Sequence, residues 1–309
     1  MRTDQPEAAF LGAAVQTDLS RLDADVAILG VPFGWPYPRP GLTAGCAEAP
    51  SAVRRRSQRL AAFRGHWDFD AGERWLPAER APRLADAGDV PGDPADGPGN
   101  SARATAAVAA ILDRGAVPIC VGGDDSVTIP VLRAFEGRGP LTVVQVDAHL
   151  DYRHEVEGVE EGYSSPMRRA SEMAHVERIV HVGLRGVGSA REGEVQDSIA
   201  AGNLLVTARE LHDLGVRWLL EQVPSDASVF LAFDCDGLDP SVFPAVSGVS
   251  PGGLTYAEAW DLVAGLGGRT VGAVFTEYVP QRDVNELSAL AACRLVSQLT
   301  QRCVPSTKS

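Results

Sequence analysis

Short β-branched runs recur along the chain at residues 26–29, 117–121, 143–146, 179–182, 229–233 and 271–275. Each is apolar on both faces rather than alternating, which predicts parallel strands buried in a sheet with helices on either side. Between them, an Ala-rich stretch at 101–114 and amphipathic stretches at 256–266 and 286–299 predict crossover helices. The Gly/Pro cluster at 88–99 predicts a surface loop, because the strand–helix alternation resumes after it. The expectation is one α/β domain over residues 1–309, with the last residues, 304–309, frayed.

Composition narrows the partners. With 45% apolar residues in 309, the chain can bury a large core. Lys and Arg total 28 against 41 Asp and Glu, a net charge of −13, and no basic run follows a phosphate backbone, so no nucleic acid is expected as partner. No apolar run approaches the roughly 20 residues of a membrane helix, and the N-terminus lacks a signal-peptide pattern; no membrane partner and a cytoplasmic location are expected. Five scattered cysteines without CxxC spacing predict reduced, buried thiols.

In an open α/β sheet, ligands bind beyond the carboxyl ends of strands. Four predicted strands run directly into polar residues there: Gly122-Gly-Asp-Asp-Ser126, Asp147-Ala-His-Leu-Asp151, Asp234-Cys-Asp-Gly-Leu-Asp-Pro240 and Thr276-Glu277-Tyr278. In the second, Asp147, His149 and Asp151 alternate with Ala148 and Leu150, so an extended segment projects all three to one side. Asp234 and Asp236 alternate around Cys235. Converging ionised carboxylates repel one another, and divalent cations remove that conflict; oxygen donors with one imidazole suit Mn²⁺ best. Asp239, before Pro240, reads as a turn residue. The glycines of the first segment lack the following Lys of a phosphate-binding loop.

The order GGDxS, DAHxD, DxDxxDP and then a Glu after the last strand resembles the ureohydrolase family of arginases and agmatinases, from about Asp25 to Leu299. Further matches are Gly30-Val-Pro-Phe33 with Arg39-Pro-Gly41, an Asp86-Ala-Gly-Asp89 turn, and Ser250-Pro-Gly-Gly-Leu254. Asp147-Ala-His-Leu-Asp-Tyr-Arg153 and Met167-Arg-Arg169 look like agmatinase segments. The resemblance implies a three-layer α/β/α fold around a mainly parallel eight-stranded sheet, two Mn²⁺ ions per chain, and a homotrimer or homohexamer. It implies that Asp147 and Asp234 bridge the ions, that Asp125 and Asp151 complete one site and His149 and Asp236 the other, and that Glu277 binds the substrate guanidinium.

Two positions depart from the family pattern. Asp125 stands where the family has a metal-binding His, making one site all oxygen. Tyr163 stands where agmatinase-like members have a catalytic His, and a phenol of pKa about 10 does not shuttle protons near neutrality. Nearby His154 reads as a solvated surface residue. The implied reaction is metal-dependent hydrolysis of a guanidino C–N bond to urea and an amine, with Asp151, or Asp239 behind it, holding the nucleophile and Tyr163 the positional candidate beside the leaving amine. A pseudoenzyme, or a hydrolase retuned to a modified guanidine or formimino substrate, remains open. If residues 155–161 line the entrance, Glu157 and Glu160 favour a cationic substrate.

Overall fold

The computed structural model describes residues 1–38 and 43–303; the Arg39-Pro-Gly41 match and the tail at 304–309 lie outside them. The chain forms β1 (Ala14–Val15), β2 (Val26–Val31), α1 (Ala49–Ala61), β3 (Trp67–Asp68), β4 (Glu73–Arg74), β5 (Leu84–Asp89), α2 (Gly97–Asp113), β6 (Val117–Gly122), α3 (Thr128–Arg133) and β7 (Leu141–Val146). There follow α4 (Pro166–Ser171), β8 (Val176–Leu184), α5 (Glu192–Ala200), β9 (Leu204–Thr207), α6 (Ala208–Glu221), β10 (Val229–Asp234), α7 (Tyr256–Leu266), β11 (Thr270–Thr276) and α8 (Leu287–Arg302). The strands β3 and β4 make a separate antiparallel hairpin; the other nine form one sheet in the order β1-β5-β2-β6-β11-β10-β7-β8-β9, every pairing parallel.

Alternate residues of the strands feed two separate cores, which is why the runs are apolar on both faces. Val229, Leu231 and Phe233 pack with α1, α6, α7 and α8, whereas Phe230 and Ala232 pack with α2, α3 and α4. All six predicted runs are strands. The sheet has nine strands where the resemblance implies eight, because the two-residue β1 adds an edge by pairing with Ala85 and Asp86.

Helix ends follow their capping residues. Asp96 accepts the Gly99 N–H at 2.9 Å with Pro98 in the first turn, so α2 starts at Gly97, inside the expected loop. Thr207 with Glu210 and Thr255 with Glu258 form reciprocal capping boxes that start α6 and α7.

The segment Asp86–Asp89 is not a turn but the end of β5. Arg54, reaching from α1, donates to Asp86 at 2.9 Å twice and to Asp89 at 2.5 Å, and this buried guanidinium lets two carboxylates sit in a central layer. Among the described residues, no helix is long and apolar enough to cross a membrane.

Candidate metal centre

The strands β6, β11, β10 and β7 are neighbours at the middle of the sheet, and their carboxyl ends deliver the four polar segments to one place. After β6, the Asp124 carboxylate accepts the Ser126 N–H at 3.2 Å and closes a single 3-10 turn into α3. After β10, Asp234 Oδ1 accepts the Asp236 N–H at 2.8 Å and starts a matching turn over Cys235–Gly237. That turn lies so close to β7 that a Cβ on Gly237 would stand 2.8 Å from the Asp147 nitrogen. Asp236 Oδ1 then accepts the Ala148 N–H at 3.1 Å, tying the two segments together.

The chain bends at Ala148 and His149, so 147–151 is not the expected extended segment. Its side chains diverge around Asp147 and join two groups of potential ligand atoms, each group within 4.8 Å: Asp147, His149 and Asp236 in one, Asp125, Asp147, Asp151 and Asp234 in the other. Asp147 belongs to both, whereas Asp234 belongs to the second alone. Asp151 (φ 47°) and Glu277 (φ 62°) adopt left-handed backbone conformations, a strain of about 1–3 kcal/mol each. The structure holds them there: Met167 N–H donates to the Asp151 carbonyl at 3.1 Å, and Glu277 N–H to the Gly123 carbonyl at 3.0 Å.

The electrostatics of this cluster are unbalanced without cations. Burial, reinforced by neighbouring carboxylates, pushes Asp125, Asp151, Asp234 and Glu277 well above the usual carboxylate range, and Asp147 to about 6. Burial works against charge on His149, but Asp147 and Asp236, at 3.3 and 3.1 Å from Nδ1, overcome it and raise the imidazole to about 12. One imidazole cannot balance the five aspartates of the two groups, with Glu277 beside them. The donor set, two groups sharing a carboxylate, therefore fits a pair of divalent ions. Asp125 fits this set because Thr128 and Thr276 hydroxyls donate to its Oδ1 at 2.7 and 2.8 Å and aim the carboxylate.

A pocket of about 410 Å³ opens over the cluster, lined by His149, Asp151, Asp234, Asp236, Glu277 and Tyr163 among others. It shares Thr43, Arg153, Tyr163 and Ser164 with an outer cleft of about 1140 Å³. Glu277 Oε1 accepts the Asp125 N–H at 2.9 Å, and its Oε2 lies 3.8 Å from the Cys46 thiol. The Tyr163 ring packs on Tyr37 with centroids 4.5 Å apart, and burial, with Tyr37 beside it, pushes its phenol up to about 12. His154 is exposed, 3.3 Å from Arg169, as expected.

Other expectations need correction. Asp239 turns away from the cluster and accepts from Ser241 and Gly252 N–H groups at 2.9 and 2.8 Å, so it shapes its turn and holds no nucleophile. Glu155 and Glu157 line the outer cleft, but Glu160 pairs with Arg169 at 3.3 Å and Glu161 with Arg133 at 2.9 Å.

Sequence reasoning missed Asp124, half-buried at the edge of the outer cleft and bonded to Thr43 at 2.9 Å, although it sits in the quoted motif. It also missed Arg185, which clamps the β10 turn by donating to the Asp236 and Leu238 carbonyls at 2.6 and 3.1 Å. A lone Arg after a strand carries no signal for that role.

The arginase family model matches residues 24–301. A mitochondrial arginase of Medicago truncatula is 33% identical over 189 residues, covering 60% of this chain and 55% of that protein, so the chain is matched to about half the length of this relative. A mitochondrial agmatinase of Gallus gallus is 30% identical over 308 residues, covering 94% of this chain and 84% of that protein. The structure of proclavaminate amidino hydrolase from Streptomyces clavuligerus superposes with a TM-score of 0.82 at 25% identity over 98% of both chains. On the matched length and the four motif-bearing strand ends, this chain belongs to the arginase family.

Proposed function

We propose that the chain is a binuclear manganese amidinohydrolase, one catalytic domain over residues 1–309, that hydrolyses a guanidino C–N bond to urea and an amine, as agmatinases do. The observation that carries this reading is the pair of donor groups sharing Asp147, faced across one pocket by Glu277. Asp125, Asp147, Asp151 and Asp234 would hold one ion, and Asp147, His149 and Asp236 the other. When bound, such ions neutralise the carboxylates and acidify water, whose pKa falls from about 16 to about 7 in the most effective sites.

The chain's own residues orient the substrate. Glu277 is buried and fixed by the Asp125 N–H, leaving its remaining lone pairs to accept paired guanidinium N–H groups. That contact would set the guanidinium carbon over the cluster, where Asp151 would take a proton from an attacking water and return it to the leaving amine as the C–N bond breaks. Tyr163, protonated at neutral pH, can donate a hydrogen bond at the pocket mouth but is no base. Five free, buried cysteines support a reducing, cytoplasmic setting, and assembly as a homotrimer or homohexamer rests on the family.

Two features bear on the tail of the substrate. Glu155 and Glu157 on the outer cleft favour a cationic tail such as that of agmatine. Arg153, nearer the cluster and lining both spaces with its Nε paired to Glu194 at 3.2 Å, supports a second reading through its other guanidinium nitrogens, a guanidino or formimino acid with a carboxylate tail. Elemental analysis after Mn²⁺ loading and desalting, with urea and ammonia release from agmatine, 4-guanidinobutyrate and a formimino amino acid, decides. About two ions per chain with urea from a guanidine supports the reading, and the preferred tail follows from the panel. Ammonia from the formimino compound alone selects the retuned enzyme, and no ions and no product leaves a pseudoenzyme.

A further inference from the structure

A line of polar side chains, buried up to its last member, runs from the candidate metal centre along one face of the sheet, from β7 across β8 to α5. Gln145 Nε2 donates to Asp147 Oδ2 at 2.7 Å. Gln145 Oε1 lies 2.5 Å from His181 Nδ1, its direct neighbour across the β7–β8 pairing. His181 Nε2 lies 3.2 Å from the Ser198 hydroxyl on α5, which accepts from Asn203 Nδ2 at 3.2 Å. Asn203 Oδ1 finally accepts the Ile179 N–H at 2.9 Å, back on β8.

Each proton in this line is dictated from both ends. Ionised, as a metal ligand is, the Asp147 carboxylate only accepts, so the Gln145 amide must turn its nitrogen to Asp147 and its oxygen to His181. His181 must then carry its proton on Nδ1, leaving Nε2 to accept the Ser198 O–H. From the other end, the Ile179 N–H requires the Asn203 oxygen, which turns the Asn203 nitrogen to Ser198 and again leaves the Ser198 proton for His181. The two ends agree on one arrangement. Burial, which lowers His181 to about 3, keeps the ring neutral and this arrangement intact at working pH. Its other ring neighbour is Tyr152, at 6.4 Å between centroids.

We propose that Gln145 and His181 are positioning residues for the metal centre: the Nδ1–H form of His181 fixes the Gln145 amide, which fixes the one carboxylate, Asp147, common to both donor groups. The proposal rests on the metal reading of the cluster. Asp147 Oδ1 already accepts the His149 N–H at 2.6 Å, so the Gln145 amide is what orients the opposite oxygen. Hydrogen bonds of this kind behind a metal ligand are worth about 10–100-fold in metal affinity.

The test compares His181→Leu, which fills the space without a donor, with His181→Asn, whose amide N–H replaces the Nδ1–H. Mn²⁺ binding is followed by the EPR signal of the free ion, and the histidine tautomer by ¹⁵N NMR of histidine-labelled wild-type protein. The expected results are a tenfold or greater loss of Mn²⁺ affinity in His181→Leu, recovery to within about threefold in His181→Asn, and an Nδ1-protonated, neutral His181 between pH 6 and 8. Wild-type affinity in His181→Leu, equal losses in both variants, or an Nε2-protonated ring overturns the relay while the metal centre stands. A wild-type chain that binds no Mn²⁺ overturns the metal reading and the relay with it, even where the tautomer is as expected. Should His181→Leu fail to fold, Gln145→Leu, expected to lose affinity to the same degree, replaces it in the comparison.

Discussion

At the scale of single residues, Glu277 concentrates the proposed chemistry. Its left-handed backbone and buried carboxylate are both costly. Glu277→Gln keeps the shape and the acceptor for the Asp125 N–H but removes the charge that pairs with a guanidinium. A charged hydrogen bond is worth about 1.5–3 kcal/mol, so kcat/KM is expected to fall about 10- to 150-fold with Mn²⁺ content unchanged; a fall smaller than about threefold removes Glu277 from substrate binding. Glu277 and the DAHLD and DCD motifs were legible in the sequence because each follows a strand that its own residues announce. The pair of hydroxyls, Thr128 and Thr276, that aims the Asp125 carboxylate was not, since the second comes from 151 residues away and nothing near Asp125 encodes it.

Among the elements, the readable strands were those whose own side chains fill both cores, such as Val229–Asp234 and Thr270–Thr276. Residues Ala14–Val15 and Leu204–Thr207 are too short to carry a period, and they became strands by lying along existing edges. The strand Leu84–Asp89 was hidden for a different reason. Its sequence, Leu-Ala-Asp-Ala-Gly-Asp, reads as a turn until Arg54, 32 residues before Asp86, is folded against it. Arg54→Met therefore leaves Asp86 and Asp89 without their shared cation in a buried layer, and the expected loss is about 3–5 kcal/mol in urea unfolding. Adding Asp86→Asn and Asp89→Asn to Arg54→Met removes the stranded charges, and most of that loss should return. A triple variant no more stable than Arg54→Met would mean that the guanidinium acts by packing rather than by charge.

For the molecule as a whole, the metal centre sets how stability depends on pH. Asp147, at about 6 in the folded chain against an ordinary value of 3.8, holds its proton over a window in which the unfolded chain has lost it. Asp125, Asp151 and Asp234 are shifted the same way. Where the folded state binds more protons, stability falls as pH rises. His149, raised from 6.5 to about 12, has the same sign above pH 6.5: its contribution is complete below the unfolded value and is lost as pH rises towards the folded one. The metal-stripped chain should therefore lose thermal stability steadily from pH 5 to pH 8. Divalent ions bind the deprotonated carboxylates and stabilise only the folded state, so the loaded chain should gain over the stripped chain by an amount that grows across the same interval. Differential scanning calorimetry of the protein in EDTA and in Mn²⁺ at pH 5, 6.5 and 8 measures both slopes. Parallel curves would show that the clustered carboxylates take no part in holding the ions, and a stripped chain that grows more stable towards pH 8 would show that their protons are not held as the geometry requires.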